Sequence, residues 1–191
     1  MLRVMLVDDT QKDVSLLREA LVAAGYEVIG LERSARRLLD RVIAVRPDVI
    51  IIDTESPSRD VLEEVVIVTR DEPRPIVMFT DDGDTTTIQH AIRAGVTAYI
   101  VAGMQPSRVG PILEVAQARF AADQALREEL RDAQGRLAER KTIERAKGIV
   151  MRTKGVGEDE AYRLLRKMAM DRNERLLQVA QRIVDVAQML G

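Results

Sequence analysis

Residues 49–57 read VIIIDTESP, an unbroken apolar run that stops on an acid. Val49, Ile50, Ile51 and Ile52 show no polar alternation, which predicts a strand covered on both faces, as in a parallel α/β sheet. Thr54, Glu55, Ser56 and Pro57 then turn the chain away. Ligands and chemistry in open α/β sheets sit at the carboxyl ends of strands. Asp53 is therefore the first candidate functional residue.

Working outward, apolar runs alternate with amphipathic stretches. RVMLV (3–7), YEVIGL (26–31), DVIII (48–52), PIVMFT (75–80) and AYIV (98–101) are expected to be five short strands. Helical patterns lie between them: 11–24 ending at Gly25, 34–46 before Pro47, 58–71 before Pro73, and 84–94 ending at Gly95. Glycine just past a helix and proline beyond its end are stop signals. Strictly alternating βα units imply a doubly wound parallel sheet with helices on both faces.

The composition removes several function classes. The 191 residues contain no cysteine, so disulfides, zinc–thiolate sites and thiol catalysis are excluded. The one histidine, His90, falls within an expected helix, and no glycine-rich phosphate loop follows the first strand. Neither an enzyme nor a dinucleotide-binding fold is supported, and no catalytic residue is assigned. No apolar segment approaches the roughly 20 residues that span a bilayer. The N-terminal run lacks the layout of a signal peptide, so the expected location is cytoplasmic.

Charge is uneven along the chain. Residues 139–191 carry twelve Lys/Arg against eight Asp/Glu, leaving seventeen against twenty-three for residues 1–138. An acidic front and a basic tail suggest two units with different partners. From Ser107 to Lys154, Glu, Arg, Ala, Gln and Leu dominate and predict one long helix, about 70 Å if unbroken. Leu126, Leu130, Ala133 and Leu137 follow a 4-3-4 spacing, the seam of a short coiled coil, interrupted by Gly135. KGVGED (154–159) and MDRNER (170–175) break the tail into further helices. Their apolar faces, with Ile143, Ala146 and Val150, suffice for a three-helix domain. The expected parts are residues 1–120, a linker helix over 121–138, and a helical domain over 139–191.

In a sheet of order 2-1-3-4-5, Asp8 and Asp9 after the first strand, Asp53 after the third and Thr80 at the end of the fourth share one edge. Like charges about 4 Å apart repel by ~4 kcal/mol at an effective dielectric of 20. Such a set needs raised pKa values or a hard cation, and oxygen ligands with room for water suit Mg²⁺. The constellation, with Pro57 and Asp60 in the following loop, resembles a response-regulator receiver domain of the flavodoxin-like type. The resemblance implies Asp53 as phospho-acceptor, and Mg²⁺ held by Asp9, Asp53 and the Glu55 backbone carbonyl beside Asp8. It also implies Thr80 and Tyr99 as the switch and a histidine kinase as partner. TAYIVAGMQ (97–105) departs from the pattern: the family's lysine is replaced by Ala102, followed by Gly103. Lys12 and Arg59 are the candidates to replace that ammonium. Asp53 is either a retained acceptor or part of a structural acidic pocket.

The tail offers Lys147, Arg152, Lys154, Arg163, Arg166, Lys167, Arg172, Asn173 and Arg175 as candidates for contacting a polyanion. Tyr162 is the one aromatic after Phe120, so base-stacking sheets of the RRM or OB type are unavailable. A helix-turn-helix DNA binder is the alternative, reading the major groove with Arg175, Gln178, Gln181 and Arg182. The stretch 143–184, with AKGIVM, EAYRLLRKMAMDRN and VAQRIV, resembles an ANTAR domain, the RNA-binding module of AmiR/NasT-type antiterminators. That resemblance implies binding to tandem hairpins in a leader RNA, which prevents the terminator from forming; a homodimer through the coiled coil is the expected assembly. The loop DTESPSRD (53–60) further resembles the NasT branch. This implies control of nitrate and nitrite assimilation and restraint by a nitrate-sensing inhibitory partner.

Overall fold

The computed structural model describes residues 1–8, 10, 15–101 and 106–190. The chain divides into two units, Met1–Gln124 and Ala125–Gly191. In the first, five strands pair in parallel in the order β2-β1-β3-β4-β5. They are β1 (Arg3–Asp8), β2 (Glu27–Glu32), β3 (Val49–Thr54), β4 (Ile76–Thr80) and β5 (Ala98–Val101). The intervening helices are α1 (Ser15–Ala23), α2 (Leu38–Val45), α3 (Arg59–Asp71) and α4 (Thr85–Ala94). The expected doubly wound sheet is therefore realised. Most boundaries lie within two residues of the sequence reading, and two differences stand out. α2 starts only at Leu38, because Arg37 takes a left-handed conformation at its head. β3 runs one residue past Asp53, to Thr54.

The apolar runs are explained by the two faces of the sheet. Met5, Val7, Ile50, Ile52, Ile76 and Met78 face one layer, packing on Leu38, Val42, Val61, Val65, Val68 and Ala91. Val4, Leu6, Val49, Ile51, Val77 and Phe79 face the other, against Leu17, Leu21, Val109, Leu113 and Ala116. Ile50, Ile51 and Ile52 are fully buried although successive side chains alternate faces. At about 1.5–3 kcal/mol per buried aliphatic side chain, no polar residue is tolerated within the run. The strand can therefore present an acid only at its end.

The local stop signals work as expected. The Ser58 side chain caps α3 by accepting from the Val61 N–H, and Asp84 caps α4 by accepting from Thr86 and Thr87. Gly95 ends α4 at φ 110°, a conformation a side chain would strain. An added Cβ there would also lie 2.4 Å from the Thr69 hydroxyl.

α5 (Pro106–Lys154) is one helix that contributes to both units, with Pro111 inside it near the start. In the second unit its later turns pack with α6 (Glu158–Arg172) and α7 (Leu176–Leu190). Ala146, Val150, Ala161, Leu165, Ala169, Val179, Ala180 and Val184 form the core. Asn173 closes α6 in a left-handed turn at φ 52°. Residues 125–141 are exposed throughout, including the expected seam: Leu126 is 64%, Leu130 57% and Leu137 54% exposed.

Candidate functional site

The acidic pocket begins at paired strand ends. Asp8 and Asp53 stand opposite each other in the β1–β3 register, and Thr54 is opposite Thr80 between β3 and β4. Asp8 is buried. Its Oδ1 accepts from the Thr10 hydroxyl at 2.6 Å and the Thr10 N–H at 3.0 Å. Its Oδ2 is buried without a hydrogen-bond partner among the described residues. A buried, unsatisfied carboxylate oxygen is costly and suits a hard cation. Asp53 is half-buried beside it. These two carboxylates fit the Mg²⁺ that the receiver family implies. No three acidic or histidine side chains among the described residues form a cation site by themselves.

The two loops beyond the sheet are stitched together. The Thr80 hydroxyl donates to the Glu55 carbonyl at 2.9 Å and accepts from the Asp82 N–H at 3.1 Å. The Asp81 N–H also donates to the Glu55 carbonyl, at 3.2 Å. The carbonyl named as a cation ligand thus accepts from two donors in this loop arrangement. The Ser56 hydroxyl donates to Asp82 Oδ2 at 2.7 Å, and the Tyr99 hydroxyl to the Asp82 carbonyl at 2.9 Å. Partial burial raises the Tyr99 pKa, keeping the phenol protonated as a donor. The Asp84 N–H and the Ser56 hydroxyl lower the Asp82 pKa. Thr80 and Tyr99 therefore converge on one loop, 80–84, which also starts α4.

Asp9, Lys12 and Ala102 lie outside the described residues. Arg59, the other suggested replacement for the family's lysine, is turned away from that role. Its Nε donates to Glu63 Oε1 at 2.7 Å, one turn along α3. Among the described residues, a cation the structure does bring to the pocket is Arg33, just past β2, with Nη1 3.9 Å from Asp8 Oδ2. Sequence reading missed it because the strand order sets β2 beside β1 without fixing where a side chain just past the end of β2 turns.

The basic tail sorts into engaged and available cations. Lys147, one of the candidates for polyanion contact, is only 8% exposed. Its ammonium lies 2.6 Å from Glu144 and 2.7 Å from Glu158. Glu144 first, then Glu158, raise its pKa, and Lys147 in turn lowers that of Glu158. Lys147 thus ties α5 to the start of α6 and is withdrawn from the candidate contacts. Arg163 pairs with Glu160. Arg152, Lys154, Arg166, Lys167, Arg172 and Arg175 are exposed, with no carboxylate partner among the described residues. Asn173 is exposed as well, its backbone set by the cap. The α7 side chains proposed for DNA reading are largely occupied. Arg182 pairs with Glu174, Gln181 donates to Asp185, and Gln178 Oε1 accepts from the Arg175 N–H.

Two family models match this chain: the response regulator receiver domain over residues 4–112 and the ANTAR domain over 131–184. The chain belongs to the ANTAR response regulators of AmiR/NasT type. It is 30% identical over 183 residues to the transcriptional regulatory protein PdtaR of Mycobacterium tuberculosis, covering 96% of this chain and 89% of that protein. It is 46% identical over 57 residues to the nitrate regulatory protein of Klebsiella oxytoca, covering 30% of this chain and 14% of that one. Among solved structures, the receiver domain of a modulated diguanylate cyclase from Desulfovibrio desulfuricans G20 superposes with a TM-score of 0.57 at 22% identity. That likeness covers 64% of this chain and 98% of the other, and concerns the fold alone. The two-component receiver and its ANTAR output are thus regulatory parts. No helix among the described residues is long and apolar enough to cross a membrane.

Proposed function

We propose that this ANTAR response regulator is a cytoplasmic RNA-binding transcription antiterminator that holds tandem hairpins of a leader mRNA and prevents terminator formation. Its parts are a receiver over 1–120, a coiled-coil linker over 121–138 and the ANTAR domain over 139–191. The observation that carries the reading is the set of six exposed cations without a carboxylate partner among the described residues, all within the segment matched by the ANTAR model. Such a surface draws affinity from phosphates, and its helices suit a folded RNA. The self-engaged α7 side chains weigh against the alternative, a DNA-binding response regulator. The likeness to the Klebsiella nitrate regulatory protein supports control of nitrate and nitrite assimilation genes, with a nitrate-sensing inhibitory protein as partner.

The receiver supplies the switch. Asp53 is the phospho-acceptor, its carboxylate oxygen attacking phosphorus in line with the bond to the donor's leaving group. A histidine kinase is the expected donor. Asp8 and Asp53 would hold Mg²⁺, which when bound neutralises charge on the transferring phosphoryl group. Thr80 must leave the Glu55 carbonyl to meet a phosphoryl oxygen, and this would free the 80–84 loop and Tyr99 together. Release of the inhibitory partner is the second trigger that fits a receiver without its lysine. The exposed leucine seam pairs two chains, so two ANTAR domains meet two hairpins and linkage raises effective concentration.

The test is fluorescence anisotropy with the full chain, titrating salt, on a tandem-hairpin RNA and on duplex DNA of the same sequence. RNA preference with a log–log salt slope of about −0.7 or steeper per phosphate contact is the expected result. Equal or tighter DNA binding would reject the antiterminator.

A further inference from the structure

We propose that the groove between the C-terminal turns of α5 and helices α6 and α7 receives one unstacked nucleobase of the bound RNA. This rests on the RNA-binding reading above and names the subsite that would read the loop.

The groove lies wholly within the second unit, with a volume of about 610 Å³. Three helical stripes build it. Ile149 comes from α5, Leu164 and Met168 from successive turns of α6, and Ile183 from α7. All four are only partly buried against the core, so their outer surfaces remain available. Val186 at the edge is 50% exposed. An open apolar slot of this size is unusual on a 15-residue helix pair that has already closed its core on Leu165, Ala169, Ala180 and Val184.

Charge decides the occupant. Lys154 and Arg172 stand on the groove lining, and both are among the exposed cations without a carboxylate partner. Arg182 also lines it, but is paired with Glu174. An apolar floor beside two uncompensated cations matches a ligand with flat apolar faces attached to phosphates. An unstacked loop nucleotide is such a ligand. Single-stranded loops are where sequence-specific RNA readers find splayed bases, and extruded bases are held between apolar as well as aromatic side chains. Met168 adds a polarisable, adaptable surface against a ring. The Thr153 hydroxyl, on the same lining, donates to the Ile149 carbonyl at 2.8 Å. With its proton committed to the backbone, the hydroxyl oxygen has only acceptor capacity left for a base N–H.

The unit's one aromatic side chain is placed differently. Tyr162, 41% exposed, lines a separate cleft with Glu139, Glu144, Glu158 and Asp159. Arg136, Arg140 and Lys147 line the same cleft and nearly balance these four carboxylates, so it holds no excess of cations for a phosphate chain. The aliphatic groove, whose charged lining is all cationic, is the base-binding surface.

The experiment uses the full chain and a tandem-hairpin RNA in which each loop nucleotide in turn is made abasic, with anisotropy as readout. The same RNAs carrying 2-aminopurine at single loop positions report the environment of each base. The protein contains no tryptophan to interfere. One abasic position is expected to weaken wild-type binding by about tenfold. Met168→Gln should weaken the intact RNA similarly, and the two changes together should cost little more than either alone. At that position 2-aminopurine fluorescence should shift with wild type and not with Met168→Gln. Lys154→Gln should instead reduce the salt slope by about one phosphate contact. Tight RNA binding with no abasic position costing more than twofold would overturn the groove assignment while leaving the RNA reading intact. Full additivity of the abasic and Met168→Gln effects would overturn it too. A change in oligomeric state on Met168→Gln would assign the groove to a second copy of the chain instead. Failure of the intact hairpins to bind at all would reject the RNA reading itself.

Discussion

Placing an aspartate at position 130 should dissolve the proposed dimer. Leu126, Leu130 and Leu137 are 64%, 57% and 54% exposed in the single chain, so between half and two-thirds of each remains to be covered. Full burial of a leucine is worth about 1.5–3 kcal/mol, so closing the seam contributes about 1–2 kcal/mol per leucine. Three leucines on two strands give about 6–12 kcal/mol, against an association cost of about 4–15 kcal/mol. The balance is thin, and a single position matters. Leu130→Asp removes its share on both strands, about 2–4 kcal/mol, before any repulsion between facing carboxylates. At 1.4 kcal/mol per decade, the dimer dissociation constant should rise about 30- to 1,000-fold. Sedimentation equilibrium across a concentration series reads this directly, with far-UV circular dichroism to show that α5 persists. A wild-type chain that sediments as a monomer at every concentration, or a Leu130→Asp chain that dimerises as tightly as wild type, refutes the reasoning. Gly135→Ala supplies the opposite sign: nothing lies within 4 Å of an added Cβ, and helix propensity improves by about 1 kcal/mol.

Three further outcomes are expected. Gly95→Ala should destabilise the receiver by about 2–4 kcal/mol in urea unfolding, combining a left-handed backbone with the Thr69 clash. Gly25→Ala, at φ 85° with open space around it, should cost only about 1–2 kcal/mol, and equal losses would dismiss the clash. Arg33→Ala should tighten Mg²⁺ binding about fivefold in calorimetric titration. The exposed guanidinium 3.9 Å from Asp8 opposes a second cation by about 1 kcal/mol in high dielectric; unchanged or weaker binding would exclude it from the pocket. Glu158 has its pKa lowered by Lys147 from an ordinary 4.5, so its stabilising contribution is present above that value and lost as pH falls below it. Lys147, raised above an ordinary 10.5, contributes below that value and loses its contribution as pH rises through its folded pKa. Thermal melts of wild type should therefore converge with those of Glu158→Gln below about pH 4.5. A constant gap from pH 3 to 8 would show that the pair is not what Glu158 contributes.

Much of the receiver was legible because its signals are local. The uninterrupted VIII of β3, the glycines that stop α1 and α4, and the acids after successive apolar runs all follow from period and turn chemistry within a few residues. The tail's three helices were legible for the same reason, since heptad and 3.6-residue spacing report a buried face without reference to its partner. What a side chain meets across the fold is a different matter. Lys147 reads as one more basic residue until the turn after α5 brings Glu158 onto it, eleven positions away. Arg33 acquires Asp8 only through the pairing of β2 with β1. The Glu55 carbonyl, a cation ligand by resemblance, is claimed by Thr80 and Asp81 from the neighbouring strand end. The groove on the ANTAR helices exists on none of them singly. Sequence by itself determined the strands, helices and strand-end acids, because periodicity and turn residues act along the chain. The tertiary structure decided which charges stay free and where apolar surface meets them, because pairing and burial depend on distances that only the packed fold sets.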